Sequence, residues 1–409
     1  MRILTFTSLF PTASNPTHCI FIYQRASHPA KIQGNNLTVV SPIPYVPAWL
    51  KIDKWRALGD VAGEESLGGL PVFHPRYLLV PKISMLFHSA SMFLGSLACV
   101  ARLHKHSKFD CIDAHFVYPD GMAAVLLGKL LRIPVIVSAR GTDINSYSSI
   151  PIVRSMIRWT LAHADAVIAV SSALKNAIVS LGTAPEKVHV IPNGIDSERF
   201  RPLEPAVARE QLNLAPDAKF IVSVGALIPL KGQQLLIRAF EQIARRHSAL
   251  NLYIIGEGPL RAELIELIDG LGLRDRIYLL GKRSNEDLRL WFSAATASCI
   301  ASMREGWPNV ATESLACGTP VIATRVGGIP EILHKPELGI IVEQTPNSLA
   351  SGLESALARA WDREGIARET HQRTWDVVAA EVKSVLAAQV ALRAELLRQG
   401  LSSKRPPNV

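Results

Sequence analysis

Short apolar runs rich in β-branched residues alternate with longer helical patterns along almost the whole chain, and this alternation constrains the fold more than any other feature. The strand-like runs are Ile3–Thr7, Leu37–Val40, Cys111–Ala114, Pro134–Ser138, Ala166–Val170 and Val188–Ile191, then Phe220–Val224, Leu252–Ile255, Ile277–Leu279, Ala297–Ile300, Val321–Ala323 and Gly339–Val342. Helical patterns between them include Gly121–Leu131, Gln233–Arg246, Leu260–Leu271 and Asn309–Cys317. Buried strands joined by helical crossovers form parallel sheets with helices on both faces. The sequence therefore predicts an α/β protein with two doubly wound domains.

A stretch rich in Pro, Asn and Asp separates the two sets of strands. Residues 192–218 read PNGIDSERFRPLEPAVAREQLNLAPDA, and a long helical pattern near the end of the chain contains Trp375. We predict a first domain over 1–203, a second over 204–370, a C-terminal helix over 371–397 and a frayed tail over 398–409. Ligands of open α/β sheets bind beyond the carboxyl ends of the strands, so functional side chains are expected in the loops that follow strands.

The composition excludes several classes of protein. With 48% hydrophobic and 19% charged residues in 409, the chain is not disordered. Its five cysteines form no CxxC pair, which argues against a disulfide scaffold and a zinc site and favours a reducing compartment. There is no GxxxxGK[ST], HExxH or GxSxG motif, and the first residues predict a strand and not a signal peptide. We therefore expect a cytoplasmic protein without a catalytic metal.

The positive charge is concentrated in the first half of the chain. The formal net charge is +9, and residues 1–203 hold 20 Lys and Arg against 12 Asp and Glu. Such a half suits anionic substrates or an anionic membrane surface, and without a long basic run it disfavours nucleic acid. The apolar stretch Ile83–Ala101 is too polar to span a membrane and predicts a buried amphipathic helix. Its basic flanks, Lys82 among them, could lie against the inner face of an anionic membrane.

The segment REGWPNVATESLACGTPVIATRVGGIPEI, residues 304–332, has two carboxylates eight residues apart. Pro308 favours a helix start, where free N–H groups and the helix dipole attract anions such as a diphosphate. Glu305 precedes this helix and Glu313 lies within it, where a carboxylate can accept two ribose hydroxyls. The candidate N–H groups belong to Asn309, Val310 and Ala311. The alternative is an ordinary helix with acidic residues near its start.

Two further loops of the second half are candidates for donor binding. In VSVGALIPLKG a strand precedes Lys231, which would lie over an anion at a helix start, although most such lysines are solvated surface residues. In IIGEGP, Gly256 and Gly258 follow a strand and permit close backbone approach to a ligand.

Three loops of the first half follow strands and carry His115, Arg140 and Asn193. His115 is a candidate acid, base or acceptor contact, and equally a structural histidine. Arg140 suits a phosphate or carboxylate of a substrate, and its alternative is an ion pair with Asp143 or another acid. Asn193, in IPNGID, is assigned to the donor-binding set.

The phrases GALIPLKG, IIGEGP, EGWPNVATE and CGTPVIATRVGGIPEI, in this order, resemble the retaining family-4 glycosyltransferases. The resemblance extends over nearly the whole chain, and HFVYPDG and SARGTDIN resemble enzymes of exopolysaccharide, teichuronic-acid-type and other envelope glycan assembly. It implies a GT-B fold, in which two Rossmann-like domains face a cleft. The acceptor would bind the first domain and the nucleotide sugar the second, with the last helix returning to the first.

The same resemblance implies roles for individual residues. Glu313 would hold the donor ribose, Glu305 the transferred sugar, and Lys231 the leaving diphosphate together with the N–H groups at 309–311. The nucleobase would lie near two basic residues after a strand, Lys282 and Arg283.

Three positions depart from the family pattern. Family members often have Arg where this chain has Ala226, HGxD where it has Arg140-Gly141-Thr142-Asp143, and glycine in the first loop where it has Cys19. A phosphate contact is therefore missing or supplied by another residue, for which Arg140 is a candidate.

The resemblance implies a metal-independent retaining transferase without a cofactor that moves a hexose-type sugar from a nucleotide sugar. Its acceptor would be a glycan or a polyprenyl-diphosphate-linked glycan of polysaccharide or cell-envelope biosynthesis. The alternatives are a GT-B nucleotide-sugar epimerase, a non-catalytic nucleotide-sugar binder of the same fold, and a two-domain small-molecule binding protein.

Overall fold

A computed structural model describes residues 1–16, 19–32, 34–45, 61–79 and 84–399. The chain divides into two compact units, one of Met1–Asn193 with the C-terminal segment from Trp375, the other of Gly194–Thr374. The division precedes the predicted boundary at 203 because Ile195 and Phe200 are buried in a core of the second unit. Most of the predicted frayed tail, from residue 400 on, lies outside the described residues.

The first unit contains a sheet of eight described strands in the order β10-β9-β8-β7-β1-β2-β5-β4, with a separate β3-β6 pair. All neighbours are parallel except β4 and β5. The strands are β1 (Arg2–Phe6), β2 (Asn36–Val40), β3 (Ile43–Tyr45), β4 (Glu64–Leu67), β5 (Leu70–Phe73), β6 (Arg76–Leu78), β7 (Cys111–His115), β8 (Val135–Ala139), β9 (Ala166–Ala169) and β10 (Val188–Val190). Every strand predicted here is present, with ends shifted by at most one residue.

The helices of the first unit are α1 (Ile20–Lys31), α2 (His88–Ser107), α3 (Met122–Leu131), α4 (Thr142–Asn145), α5 (Pro151–His163), α6 (Ser172–Ser180) and the C-terminal helix (Trp375–Arg398). The predicted amphipathic helix is α2; Lys82 and Ile83 lie outside the described residues. The α2 helix buries Met92 and Val100. Within the described residues, no helix combines the length and the hydropathy needed to cross a membrane.

The C-terminal helix belongs to the core of the first unit, as predicted. Its residues Trp375, Val378, Val382 and Leu386 are buried and share one core with Ile3 and Leu37 of the sheet and Ile22 of α1. Their spacing of three and four positions places them on one face of the helix, so this stripe is a necessary part of the first unit's core.

The second unit is a fully parallel sheet in the order β13-β12-β11-β14-β15-β16. Its strands are β11 (Lys219–Val224), β12 (Leu250–Ile255), β13 (Ile277–Gly281), β14 (Ala297–Ile300), β15 (Val321–Thr324) and β16 (Gly339–Val342). Its helices are α7 (Pro205–Gln211), α8 (Gln233–Ala244), α9 (Arg261–Gly270), α10 (Asn285–Ala294), α11 (Asn309–Ala316), α12 (Ile329–Ile332), α13 (Pro346–Ala358) and α14 (Arg363–Thr370). Separate cores, one around Phe240 and one around Phe292, fit helices on both faces of a doubly wound sheet.

In each large sheet the strand order reverses next to the unit's first strand. β1 lies between β2 and β7, and β11 lies between β12 and β14. Ligands of doubly wound sheets bind at such switch points, outside the carboxyl ends of the strands. The loops after β1, β7 and β8 in one unit, and after β11 and β14 in the other, are therefore the places to look for function.

Candidate functional site

Lys231 and Glu305 meet at the switch point of the second unit. Lys231 ends a short 3₁₀ turn after β11, and Glu305 lies in the loop between β14 and α11. Lys231 Nζ donates to Glu305 Oε1 at 2.6 Å, and the Ser302 hydroxyl donates to the same oxygen at 2.7 Å. Lys231 is therefore not the freely solvated lysine of the alternative interpretation.

Glu313 lies in the second turn of α11 and is half-buried. No residue that the structure describes donates a hydrogen bond to its carboxylate. Burial raises the pKa of Glu313 to about 7, although Arg199 opposes the shift. A half-buried carboxylate that accepts from no described protein group is an acceptor suited to ligand hydroxyl groups.

The start of α11 differs from the prediction in one respect. Pro308 has extended backbone angles and precedes the first helical residue, Asn309. The Ala311 N–H donates to the Pro308 carbonyl oxygen at 3.0 Å, so it is not one of the free groups expected for an anion. The predicted set of N–H groups therefore loses Ala311.

Gly256 and Gly258 approach protein backbone closely, where we predicted an approach to a ligand. A Cβ on Gly256 would lie 1.9 Å from the Gly225 carbonyl oxygen, and one on Gly258 would lie 2.4 Å from that of Leu227. These glycines therefore pack the loop after β12 against the loop that leads to Lys231. Their role in the structure is to hold these two loops together, and their contact with a ligand stays a prediction.

Lys282 and Arg283 follow β13 and are both exposed. They precede α10, whose first turn is held by a capping box between Ser284 and Asp287. The two basic side chains therefore belong to a loop with a defined backbone, and their contact with the nucleobase stays a prediction.

The first unit contains a network of buried charged groups at the carboxyl ends of β7 and β8. Arg25, from α1, donates to Asp113 at 3.2 Å and to the Ser138 hydroxyl at 3.2 Å. Asp113 Oδ2 lies 3.6 Å from His115 Nε2. The network therefore joins the helix after β1 to the two neighbouring strands.

His115 supports Arg140 and is not placed to contact a ligand. Its side chain is 0% exposed, and its Nδ1 lies 2.5 Å from Arg140 Nη2. Since a guanidinium only donates, Nδ1 is the acceptor and the proton lies on Nε2. Burial, with the charges of Arg140 and Arg25, lowers the pKa of His115 well below its ordinary value. The predicted contact of His115 with an acceptor is therefore corrected to a positioning role.

Arg140 does not pair with Asp143, which was the alternative. Asp143 accepts hydrogen bonds from the backbone N–H groups of Val117, Arg140, Gly141 and Ile144. The guanidinium instead donates from Nη1 to the Asn193 amide oxygen at 3.2 Å. Asn193 was assigned to the donor site, and the structure places it beside Arg140 in the first unit.

Two residues of these networks were missed from the sequence. Arg25 lies on the buried stripe of α1 with Ile22, Ala26 and Pro29, and a charged residue in an apolar stripe is a readable signal of a buried pair. Ser302 has no such signal, because one serine after a strand is common.

Within the residues that the structure describes, no three His, Cys, Asp or Glu side chains cluster in a way that could hold a metal ion.

Two family models match the chain, one within the second unit and one mainly within the first. The model described as "Glycosyl transferases group 1" matches residues 206–373, and "Glycosyltransferase Family 4" matches residues 61–199. The chain is 34% identical over 307 residues to the D-inositol 3-phosphate glycosyltransferase of Actinosynnema mirum, covering 66% of this chain and 73% of the relative. It is 28% identical over 386 residues to TuaC of Bacillus subtilis, covering 93% and 92%; that protein's name places it in teichuronic acid biosynthesis.

A solved structure shares the fold. HepE of Anabaena in complex with UDP and glucose superposes with a TM-score of 0.71 at 20% identity, covering 95% of this chain and all of that one. The prediction of two Rossmann-like domains of the GT-B type is confirmed.

Proposed function

Because the chain belongs to the group 1 glycosyltransferases, we propose that it is a metal-independent, retaining enzyme that transfers a hexose-type sugar from a nucleotide sugar to a glycan or lipid-linked glycan. The observation that carries this proposal is the Lys231–Glu305 pair at the switch point of the second unit. A cation and a carboxylate held 2.6 Å apart can serve a departing anion and a sugar hydroxyl, respectively.

The second unit would bind the donor through the residues that its loops present. Lys231 would neutralise the diphosphate with the N–H groups of Asn309 and Val310. Glu305 would accept from a hydroxyl of the transferred sugar, and the vacant carboxylate of Glu313 would accept from the ribose. HepE, which has the same fold, is described in complex with UDP and glucose, and this supports a nucleotide-sugar donor.

In the proposed step the bond between the sugar's anomeric carbon and the diphosphate oxygen breaks on the face where the acceptor oxygen bonds to that carbon. The proton of the acceptor hydroxyl passes to the departing diphosphate oxygen. Negative charge grows on the diphosphate as the bond breaks, so the Lys231 ammonium stabilises the transition state more than the ground state. Ser302 would keep Glu305 in place while the ammonium turns to the diphosphate.

We further propose a polyprenyl-diphosphate-linked acceptor and a role in envelope polysaccharide synthesis at the inner face of the cytoplasmic membrane. The teichuronic acid assignment of TuaC supports the pathway class. The first unit exposes Phe87, which precedes α2, and Leu94 on α2, at 64% and 66%, and the last turn of α2 is basic. Co-sedimentation with vesicles containing anionic lipid, reduced by Phe87→Ser, would support this contact; equal sedimentation of wild type and variant would contradict it.

The proposed activity is tested by nucleotide release from UDP-, GDP-, ADP- and TDP-sugars, with and without a chelator. We expect one nucleotide to be released, with chelator-resistant turnover that Glu313→Ala abolishes. Glu266→Ala, the same change on an exposed face of α9, is the matched control and should retain full turnover. Interconversion of the sugar without nucleotide release would indicate an epimerase, and binding without turnover of any donor, even with mixed glycan acceptors, a non-catalytic binder. Either result would contradict the proposal.

A further inference from the structure

Arg140 has neutral hydrogen-bond partners on both sides of its guanidinium. It donates to the Asn193 amide oxygen at 3.2 Å and to His115 Nδ1 at 2.5 Å. His115 is uncharged at neutral pH because its pKa is well below the ordinary value. Burial lowers the pKa of Arg140 to about 9, which leaves the guanidinium protonated at neutral pH. Two neutral acceptors thus hold a full positive charge.

The nearby carboxylates are engaged with other groups. Asp113 pairs with Arg25 at 3.2 Å, Asp143 accepts from backbone N–H groups, and Asp120 accepts from the Ser8 N–H. In the described part of the chain, no carboxylate oxygen lies within 4.0 Å of the Arg140 guanidinium. The structure therefore supplies no direct counter-ion to this cation.

Asp113 and Asp143 favour the charged form of Arg140 from a distance, but a partly buried cation without a direct counter-ion is still costly, because such charges in proteins are normally paired. Arg140 Nε is closed off from solvent and has no hydrogen-bond partner among the described residues. The guanidinium is also fixed in orientation, since its carbon lies 5.5 Å from the centre of the Phe21 ring. An oriented guanidinium of this kind is prepared for a two-pronged hydrogen bond to a carboxylate or a phosphate.

We infer that Arg140 binds an anionic group, a carboxylate or a phosphate, carried by the sugar of one of the two substrates. This inference deepens the proposed function and rests on it: the enzyme selects an acidic or phosphorylated sugar over its neutral counterpart. Arg140 is the specificity-determining residue, and His115 and Asn193 are positioning residues that hold its guanidinium.

The test measures binding by calorimetry for three matched pairs of probes. They are UDP-glucuronate against UDP-glucose, methyl glucuronide against methyl glucoside, and glucose 6-phosphate against glucose. A charge-assisted bond predicts about 10- to 100-fold tighter binding of the anionic member in at least one pair. The first pair assigns the anion to the donor sugar, the second to a carboxylate of the acceptor, and the third to its phosphate.

Two variants test the contact between Arg140 and the anionic group, one by removing the cation and one by giving it a counter-ion within the protein. Arg140→Gln removes the cation. Asn193→Asp keeps it and supplies a carboxylate in place of the amide oxygen that now lies 3.2 Å from Nη1, so the site acquires its own counter-ion. Both should reduce the preference to within about twofold, whereas Arg140→Lys should keep part of it because the charge remains.

UDP binding, measured in the same proteins, separates a failure of the Arg140 inference from a failure of the proposed function. It should be lost in Glu313→Ala, and circular dichroism spectra that match the wild type show that Arg140→Gln and Asn193→Asp are folded. Equal wild-type affinity within every pair, or a preference that survives both variants, overturns the inference while UDP binding leaves the proposed function standing. A wild type that binds no nucleotide overturns the proposed function itself.

Discussion

Glu313 combines a functional position with an unfavourable environment. Its pKa of about 7 means that the carboxylate is half protonated near neutral pH when no donor is bound. Ribose hydroxyls bind best to the ionised form, so donor affinity should fall as the pH decreases below 7, by at most about tenfold per unit. The dissociation constant of the UDP-sugar from pH 5.5 to 8.5 measures this. Glu313→Gln should bind weakly at every pH, and a wild-type affinity as flat as that of the variant would show that Glu313 is not the ribose ligand.

Ionisation of Glu313 should favour donor binding but lower the stability of the free protein. Between pH 4.5 and about 7 the folded protein holds a proton that the unfolded chain releases, so the free energy of unfolding decreases as the pH rises. Glu313→Gln should therefore stabilise the free enzyme at pH 8, by up to about 3 kcal/mol, and little at pH 4.5. Urea unfolding at the two pH values tests this, and an equal effect at both would contradict it.

Lys231 is predicted to act on the rate and not on folding. Lys231→Ala removes the charge that faces the developing diphosphate, and kcat should fall about 100- to 1,000-fold. Stability should change little, because Ser302 still donates to Glu305. Lys219→Ala, at the exposed start of β11, is the matched control and should leave kcat and stability unchanged. Parallel losses of rate and stability in Lys231→Ala would reduce Lys231 to a structural residue.

At the scale of elements, the packing of loops decides whether the donor residues are held in place. Gly256 has a φ of +152°, and a Cβ there would collide with the backbone of the loop that leads to Lys231. Gly256→Ala should destabilise the second unit by about 2–4 kcal/mol and weaken donor binding. Gly270→Ala, at the end of α9 with open space around it, should be neutral or stabilising by up to about 1 kcal/mol. Denaturant unfolding of both variants compares them, and equal effects would contradict this account of the loop.

Buried parallel strands could be predicted because each is a continuous apolar run, as in Val135–Ala139 and Val321–Thr324. The strands β3 to β6 were missed because each has only three or four residues and an interrupted apolar pattern. Arg140 and Asn193 were recognised as candidates, but not as neighbours. Their proximity depends on how β8 and the loop after β10 lie at one edge of the sheet, which no local pattern encodes.

At the scale of the whole molecule, both units place their first strand at the point where the strand order reverses, although one large sheet has eight described strands and the other six. The sequence predicted this likeness of architecture without any internal repeat. It follows that each unit can place functional side chains at the carboxyl ends of its own strands. The second presents a lysine and carboxylates for a nucleotide sugar, and the first presents an oriented arginine.

The C-terminal helix makes the first unit discontinuous in sequence. Removal of this helix should therefore unfold the first unit and leave the second unit folded. Removing the chain after Thr374 takes Trp375, Val378, Val382 and Leu386 from the core. Burying each such side chain is worth about 1.5–3 kcal/mol, so the loss approaches the whole stability of a typical domain. The first unit should unfold, while Gly194–Thr374 retains its complete core and its Glu313-dependent binding of UDP.

A pair of adjacent valines provides the control for truncation. Val378 is 1% exposed and Val377 is 40% exposed, so Val378→Ala should cost about 1–3 kcal/mol in the stability of the first unit and Val377→Ala less than about 0.5 kcal/mol. Hydrogen exchange at β1 and β2 reports on the first unit, and exchange at β11 and β12 on the second. Loss of protection confined to β1 and β2 after truncation is the expected result. Equal loss in all four strands would mean that the second unit also depends on this helix, and the division at residue 374 would then not be a division in stability.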